Sequence, residues 1–338
     1  MNHRILGGTG ISVSDHALGT MMLGTMGNTD HDDCVRIIRS ALDAGINFVD
    51  TADIYSLGES EEIVGKALRG RRDEVVLATK FGLPVGRDRN RQGGSRRWIV
   101  RALEDSLRRL DTDHVDLYQM HRPDRDTDID ETLAALGDLV RAGKIRAIGS
   151  STYPAELIVE AQWAAARAGL QPFRTEQPRY SLLNRTVEGT VLPTAQRYRM
   201  GVLTYGPLAS GWLSGRDDPT TGHRASGAGA RVFDLSDPAN RAKQEAVARL
   251  ADLAADVGLP LAHLATAFVR AHPGVTSVII GPRTQDQLDG LLAGADTVLG
   301  ADVLDRIDEI VAPGSELNPA DNYLAGHPAL GDARLRRR

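Results

Sequence analysis

Asp50, Tyr55, Lys80 and His121 are the residue types in this chain that can together move a proton onto an oxygen atom. Each stands at the end of a short apolar run or just past it. Phe48-Val49-Asp50 is followed closely by Tyr55, Val75-Val76-Leu77-Ala78-Thr79 leads to Lys80, and Val115-Asp116-Leu117-Tyr118-Gln119-Met120 leads to His121. A phenol has an ordinary pKa of ~10, so it carries its proton ready at neutral pH. A nearby ammonium favours the phenolate and lowers that pKa, a role that suits Lys80. Asp50 would keep Lys80 charged and in place, and His121 would orient a carbonyl oxygen by a hydrogen bond. The matching reaction is reduction of a carbonyl group, which needs a hydride and a proton. Taken singly, each residue has a plainer reading: a rim tyrosine, a solvated lysine, a turn histidine in His121-Arg122-Pro123, and a helix cap in Asp50-Thr51-Ala52-Asp53. Their joint placement at successive strand ends favours the functional one.

The elements that must position them alternate along most of the chain. Ala17-Leu18-Gly19 reads as a first strand, followed by the three runs above, Ile145 to Gly149, Arg174 to Gln177, Val202 to Tyr205 and Ser277 to Ile280. Between them lie helical patterns: Val35, Ile38 and Leu42, with Thr29 as the expected cap and Asp32 in the first turn; Ile99, Leu103, Leu107 and Leu110 behind Ser95; Leu133, Leu136 and Val140 before Gly143; and Pro260 to His272. Strand and helix repeated in this way demand parallel pairing with crossovers. Eight units suggest a (β/α)8 TIM barrel, with an open doubly wound sheet as the alternative. In a barrel the strand ends converge on one mouth, where active sites form. Arg4-Ile5-Leu6-Gly7 and Ile11-Ser12-Val13-Ser14 around Gly8-Thr9-Gly10 predict a β-hairpin plugging the barrel's bottom. The long stretch 216–240, after the seventh barrel strand, lacks periodicity and reads as a lid loop or an insert. The segment 314–338 reads as an irregular, solvated tail. The whole of 1–338 reads as one domain.

Composition bounds the class. The chain has 338 residues, 41% hydrophobic and 25% charged, ordinary globular values. A net charge of -5 and a pI near 6.0 argue against a nucleic-acid partner. Cys34 is the single cysteine, so no intrachain disulfide forms. No apolar stretch reaches membrane length, and Met1 to Gly7 lacks a signal-peptide core. The expectation is a cytoplasmic protein. No histidine and carboxylate cluster has zinc spacing, and His31, His223, His263 and His272 read as surface or packed residues. Gly7-Gly8-Thr9-Gly10 hints at a short-chain dehydrogenase. However, Val13 stands where that loop needs glycine, and no Tyr-x-x-x-Lys pair follows.

Asn47-Phe48-Val49-Asp50-Thr51-Ala52-Asp53-Ile54-Tyr55, Gly58-Glu59-Ser60-Glu61, Leu77-Ala78-Thr79-Lys80 and Asp116 to His121 occur in this order. With them the chain resembles the aldo-keto reductases over nearly its full length. The resemblance implies Asp50, Tyr55, Lys80 and His121 as a catalytic tetrad, a small-molecule carbonyl substrate, and NADPH bound without a Rossmann domain. Ser150 and Ser151 resemble the family's Ser-Asn pair at the nicotinamide carboxamide, with serine in place of asparagine, and Gln177 matches its glutamine contact. Tyr205 matches the aromatic that stacks on the nicotinamide ring. The loop Gly206, Pro207, Leu208, Ser210 and Gly211 resembles a pyrophosphate-binding turn, where small residues allow close backbone approach. Gly281 and Arg283 follow the last strand, where barrels often bind phosphate, and a guanidinium there would grip an adenosine 2′-phosphate. Gln287 corresponds to an adenine contact. Two alternatives stay open. One is reduction of a nucleotide-linked keto-deoxysugar, with Arg224 and Arg231 facing the anion. The other is an NADPH-binding regulatory role like that of potassium-channel β subunits.

Overall fold

The computed structural model describes residues 1–216, 227–322, 333 and 337. Eight parallel strands close into a barrel: β3 (His16–Gly19), β4 (Phe48–Asp50), β5 (Val76–Phe81), β6 (Val115–Met120), β7 (Ile145–Ser151), β8 (Thr175–Gln177), β9 (Gly201–Tyr205) and β10 (Ser277–Ile280). Each pairs with its neighbour in chain order, and β10 returns to pair with β3. The open doubly wound alternative is thereby excluded. Alternation along the strands sorts side chains into two apolar clusters. Ala17, Phe48, Ala78, Leu117, Ala147, Leu203 and Ile279 fill the barrel interior. Leu18, Val49, Leu77, Tyr118, Ile148, Val202 and Val278 face the surrounding helices.

β1 (His3–Ile5) and β2 (Ser12–Ser14) form the expected antiparallel hairpin. Its fully buried Leu6 and Val13 join the interior cluster, so the hairpin closes the barrel below. Gly7 has φ +55, and a Cβ there would lie 2.4 Å from the Arg174 oxygen and 2.9 Å from the Gly201 nitrogen. Only glycine lets the plug seat this closely.

The helices form where an apolar stripe meets a cap. α3 (Arg96–Leu110) starts at Ser95, whose side chain accepts from the Trp98 nitrogen, and it buries Ile99, Leu103, Leu107 and Leu110. α4 (Ile129–Arg141) ends before Gly143, at φ +74. α1 (His31–Asp43) differs from expectation: Asp30, not Thr29, accepts from the Asp32 and Asp33 nitrogens. The carboxylate one residue later reaches two of the free N–H groups of the first turn.

The irregular stretch is shorter than its composition suggests. Residues 227–233 form a 3-10 turn, and α7 (Pro238–Asp256) begins inside the expected lid, with Asp237 as cap and proline in its first turn. Asp-Pro there starts a helix, since the proline has no N–H to leave unpaired. Residues 217–226 of that stretch, with His223 and Arg224, lie outside the described residues. The start of the tail is packed rather than solvated. Lys243 of α7, fully buried, bonds both carboxylate oxygens of Asp321 at 2.9 Å, and Asn184 bridges to Glu316. Among the described residues, no single helix is long and apolar enough to cross a membrane.

Candidate active site

Three neighbouring strands deliver the four proton-handling groups. Asp50 is the last residue of β4, Lys80 lies near the end of β5, and His121 follows β6, its nitrogen donating to the Phe81 oxygen at 2.8 Å. Tyr55 sits in the turn leaving β4, its nitrogen bonded to the Ala52 oxygen at 3.1 Å. Directly after it, Ser56 (φ 49) and Leu57 (φ 57) occupy the left-handed region. Such backbone costs about 1–2 kcal/mol per non-glycine residue and concentrates where a side chain must be aimed. Asp50, Lys80 and Gln119 share the inward face of adjacent strands, because β4, β5 and β6 pair in register and inward positions recur every second residue.

The four groups meet. Lys80 is fully buried, and its Nζ donates to Asp50 Oδ2 at 2.5 Å, the Thr51 oxygen at 2.9 Å and Tyr55 Oη at 3.1 Å. Those bonds use all three protons of an ammonium. The other carboxylate oxygen, Asp50 Oδ1, accepts from Gln119 Nε2 at 3.1 Å and Gln177 Nε2 at 2.9 Å. The His121 ring stands edge-on to the Tyr55 ring, centroids 5.8 Å apart, and its buried Nδ1 has no hydrogen-bond partner.

Burial sets the proton inventory. It pushes the Tyr55 phenol up, Lys80 pulls it down, and the net shift is upward. The sequence reading expected lysine to lower this pKa; desolvation of the phenolate outweighs the ammonium. Burial works to lower the Lys80 pKa, but Asp50 and Tyr55 raise it above its ordinary value, so the amine is an ammonium at neutral pH. Burial, then Lys80 and Arg122, hold His121 well below its usual range, so its imidazole is neutral. The arrangement is a half-buried acid with a fixed cation beside its oxygen. Among the described residues, no group of three or more His, Cys, Asp or Glu side chains is arranged to hold a metal ion.

The other half of the mouth carries the remaining expected residues. Ser151, last in β7, donates from Oγ to the Gln177 oxygen at 2.9 Å. Ser150 is placed otherwise than expected. Its hydroxyl donates to Glu176 Oε2 at 2.5 Å, because strand alternation turns it to the outer face. Half-buried Tyr205 ends β9, and the following turn, with buried Pro207 and half-buried Leu208, holds left-handed backbone at Gly206 (φ 72), Ala209 (φ 47), Ser210 (φ 63) and Gly211 (φ 114). A Cβ at Gly211 would face open space, and one at Gly206 would meet the Arg179 side chain at 4.0 Å. β10 pairs in parallel with β9, so Gly281 and Arg283 leave the barrel at the same end as that turn, where the Arg283 oxygen accepts from Asn28 Nδ2 at 3.0 Å. The Arg283 nitrogen donates to Gln287 Oε1 at 2.8 Å, so that side chain ties the loop to the start of α9 (Gln285–Leu292). Arg231 is exposed on the 3-10 turn.

Sequence reasoning missed Gln119, Thr51 and Glu176. Gln119 had a usable signal, since it lies two residues after inward-facing Leu117. Thr51 acts through its backbone, and Glu176 lies on the outer face, so residue type pointed to neither.

Comparison with known proteins gives the family. The model of the Aldo/keto reductase family matches residues 17–312. The chain is 40% identical to the uncharacterized oxidoreductase YrpG of Bacillus subtilis (strain 168), over 94% of this chain and 98% of that one. It is also 40% identical to the aldo-keto reductase YhdN of the same organism, over 86% and 88%. A probable voltage-gated potassium channel subunit beta of Oryza sativa subsp. japonica is 35% identical, over 92% and 97%. The chain belongs to the aldo/keto reductase family.

Proposed function

We propose that this oxidoreductase uses NADPH to reduce an aldehyde or ketone to an alcohol, with Tyr55 as proton donor. The observation that supports this most directly is the bond from Lys80 Nζ to Tyr55 Oη at 3.1 Å. Because the ammonium donates to the phenolic oxygen, the phenol's own proton is directed to another acceptor, the place a substrate oxygen takes. As charge develops on that oxygen, Tyr55 releases its proton to it, and Lys80 stabilises the phenolate left behind. Asp50 keeps Lys80 charged, and Gln119 and Gln177 keep Asp50 in place. Neutral His121 donates one N–H bond to the carbonyl oxygen and fixes its angle.

The remaining residues suit a dinucleotide, which when bound supplies the hydride from its nicotinamide. Ser151 and Gln177 border the carboxamide, and Tyr205 stacks on the ring. The turn from Gly206 to Gly211 holds left-handed backbone at four residues, and the lack of side chains at Gly206 and Gly211 leaves room for a pyrophosphate that a bulky side chain would obstruct. Arg283, with Gly281 before it, takes the 2′-phosphate, and Gln287 borders the adenine. Preference for NADPH over NADH rests on Arg283.

The substrate is a small carbonyl compound, with nucleotide-linked keto-deoxysugars as the narrower alternative. The channel-subunit relatives favour a second reading, cofactor-dependent association with a partner. The presence of all four proton-handling groups in one pocket favours catalysis. Tyr55→Phe tests the choice: NADPH consumption with a panel of aldehydes, ketones and keto-sugars should fall by about 10²–10⁴-fold while NADPH affinity holds. Turnover equal to the parent chain would remove Tyr55 from its role.

A further inference from the structure

Glu176 is a fully buried carboxyl one residue before the tetrad-supporting Gln177, and the mechanism above leaves it unused. Its place follows from the strand pairing. β7 and β8 pair Ser150 with Glu176 and Ser151 with Gln177. The first pair faces the helices, the second the mouth. Ser150 Oγ donates to Glu176 Oε2 at 2.5 Å, and the Tyr153 nitrogen donates to Oε1 at 3.1 Å. The Thr152 N–H also supports the carboxylate, against burial, which pushes this carboxyl up to about 7. These partners all lie at the end of β7 or in the turn that follows it. That turn carries Thr152 at φ 61, and the Thr152 hydroxyl accepts from Arg122 Nη1 at 2.9 Å. The same Nη1 donates to the His121 oxygen at 2.6 Å.

A buried carboxyl is costly and persists only where donors satisfy it. Here those donors belong to the one turn that separates the tetrad from the nicotinamide contacts. We propose that Glu176 is a positioning residue for the nicotinamide half of the dinucleotide. From the outer face of the barrel wall it clamps the Ser150–Tyr153 turn, so that Ser151 and Gln177 hold their places on the inner face. The inference rests on the reductase reading above and adds the residue that sets the shape of its carboxamide pocket.

Glu176→Gln keeps the volume and one acceptor but sets an NH2 group against either Ser150 or the Tyr153 N–H. Calorimetric titration of the parent and variant with NADPH, and with adenosine 2′,5′-bisphosphate, separates the two ends of the site. The expected result is a roughly tenfold loss of NADPH affinity, the scale of one charge-assisted hydrogen bond, with the bisphosphate unchanged. Ser150→Ala, which removes a single donor and leaves the carboxyl in place, should weaken NADPH in the same direction by less, and it carries the test if Glu176→Gln does not fold. Equal losses for both ligands, or none for NADPH, would overturn the assignment. A parent chain that binds no NADPH overturns the reductase reading and this one with it.

Discussion

The mouth of the barrel has two halves built on different principles. On the side of β4, β5 and β6, polar side chains are bonded to one another: Asp50 accepts from Lys80, Gln119 and Gln177, and Lys80 donates to Asp50, Thr51 and Tyr55. Apart from half-buried Tyr55, those groups are buried and rest on or beside paired strand ends. On the side of β9 and β10, the turns are more open, and backbone is held at positive φ. Proton transfer requires a fixed distance and a low dielectric, which buried side chains on a rigid wall supply. Gripping a long anionic cofactor requires many N–H groups and room, which turns supply.

The sharpest way to break this contrast is Lys80→Met. On the tetrad side it leaves Asp50 as a buried carboxylate without its cation, a change worth about 3–5 kcal/mol of stability. The same variant should lose about 10²–10⁴-fold in turnover, since nothing then stabilises the phenolate. Chemical denaturation and steady-state rates read the two effects. Adding Asp50→Leu to Lys80→Met should recover part of the stability and none of the rate. A single variant as stable as the parent would mean that the pair does not behave as a buried ion pair. Arg283→Ala is the counterpart on the open side. It should weaken NADPH by about 10–100-fold, the scale of a charge-assisted contact, and leave NADH affinity and folding stability unchanged. Equal weakening of both cofactors would place the 2′-phosphate elsewhere.

The same contrast explains what could be read from the sequence. Asp50, Tyr55, Lys80 and His121 are uncommon residue types at strand ends, and period-two alternation then dictates which way strand residues face, so the pocket was legible once the strands were. The barrel was legible for the same reason: its strands are short apolar runs, and its helices carry caps such as Ser95. Alternation also contained the warning about Ser150, whose hydroxyl had to face away if Ser151 faced the mouth. The misreadings lie where local chemistry has two uses. Asp237-Pro238 reads as a loop but starts α7, and the tail after Pro313 looks solvated until Lys243 is found bonded to Asp321. No local pattern announces a pairing between residues so far apart in the chain. The net pKa of Tyr55 was also out of reach, because it depends on how completely the phenol is buried, a property of the packed mouth.

The smallest effect tests the contrast most finely. Ser210 has φ 63 in the turn after β9, and if that turn holds pyrophosphate through its backbone, the side chain is dispensable. Ser210→Gly removes a left-handed penalty of about 1 kcal/mol and adds a similar amount of unfolded-chain entropy, so stability should change by less than about 1 kcal/mol. NADPH affinity should stay within about threefold of the parent, which corresponds to roughly 0.6 kcal/mol. Thermal unfolding and cofactor titration on the same preparation read both quantities. A loss of tenfold or more with unchanged stability would mean that the hydroxyl itself grips phosphate, and the open half of the mouth would then work by side chains as the buried half does.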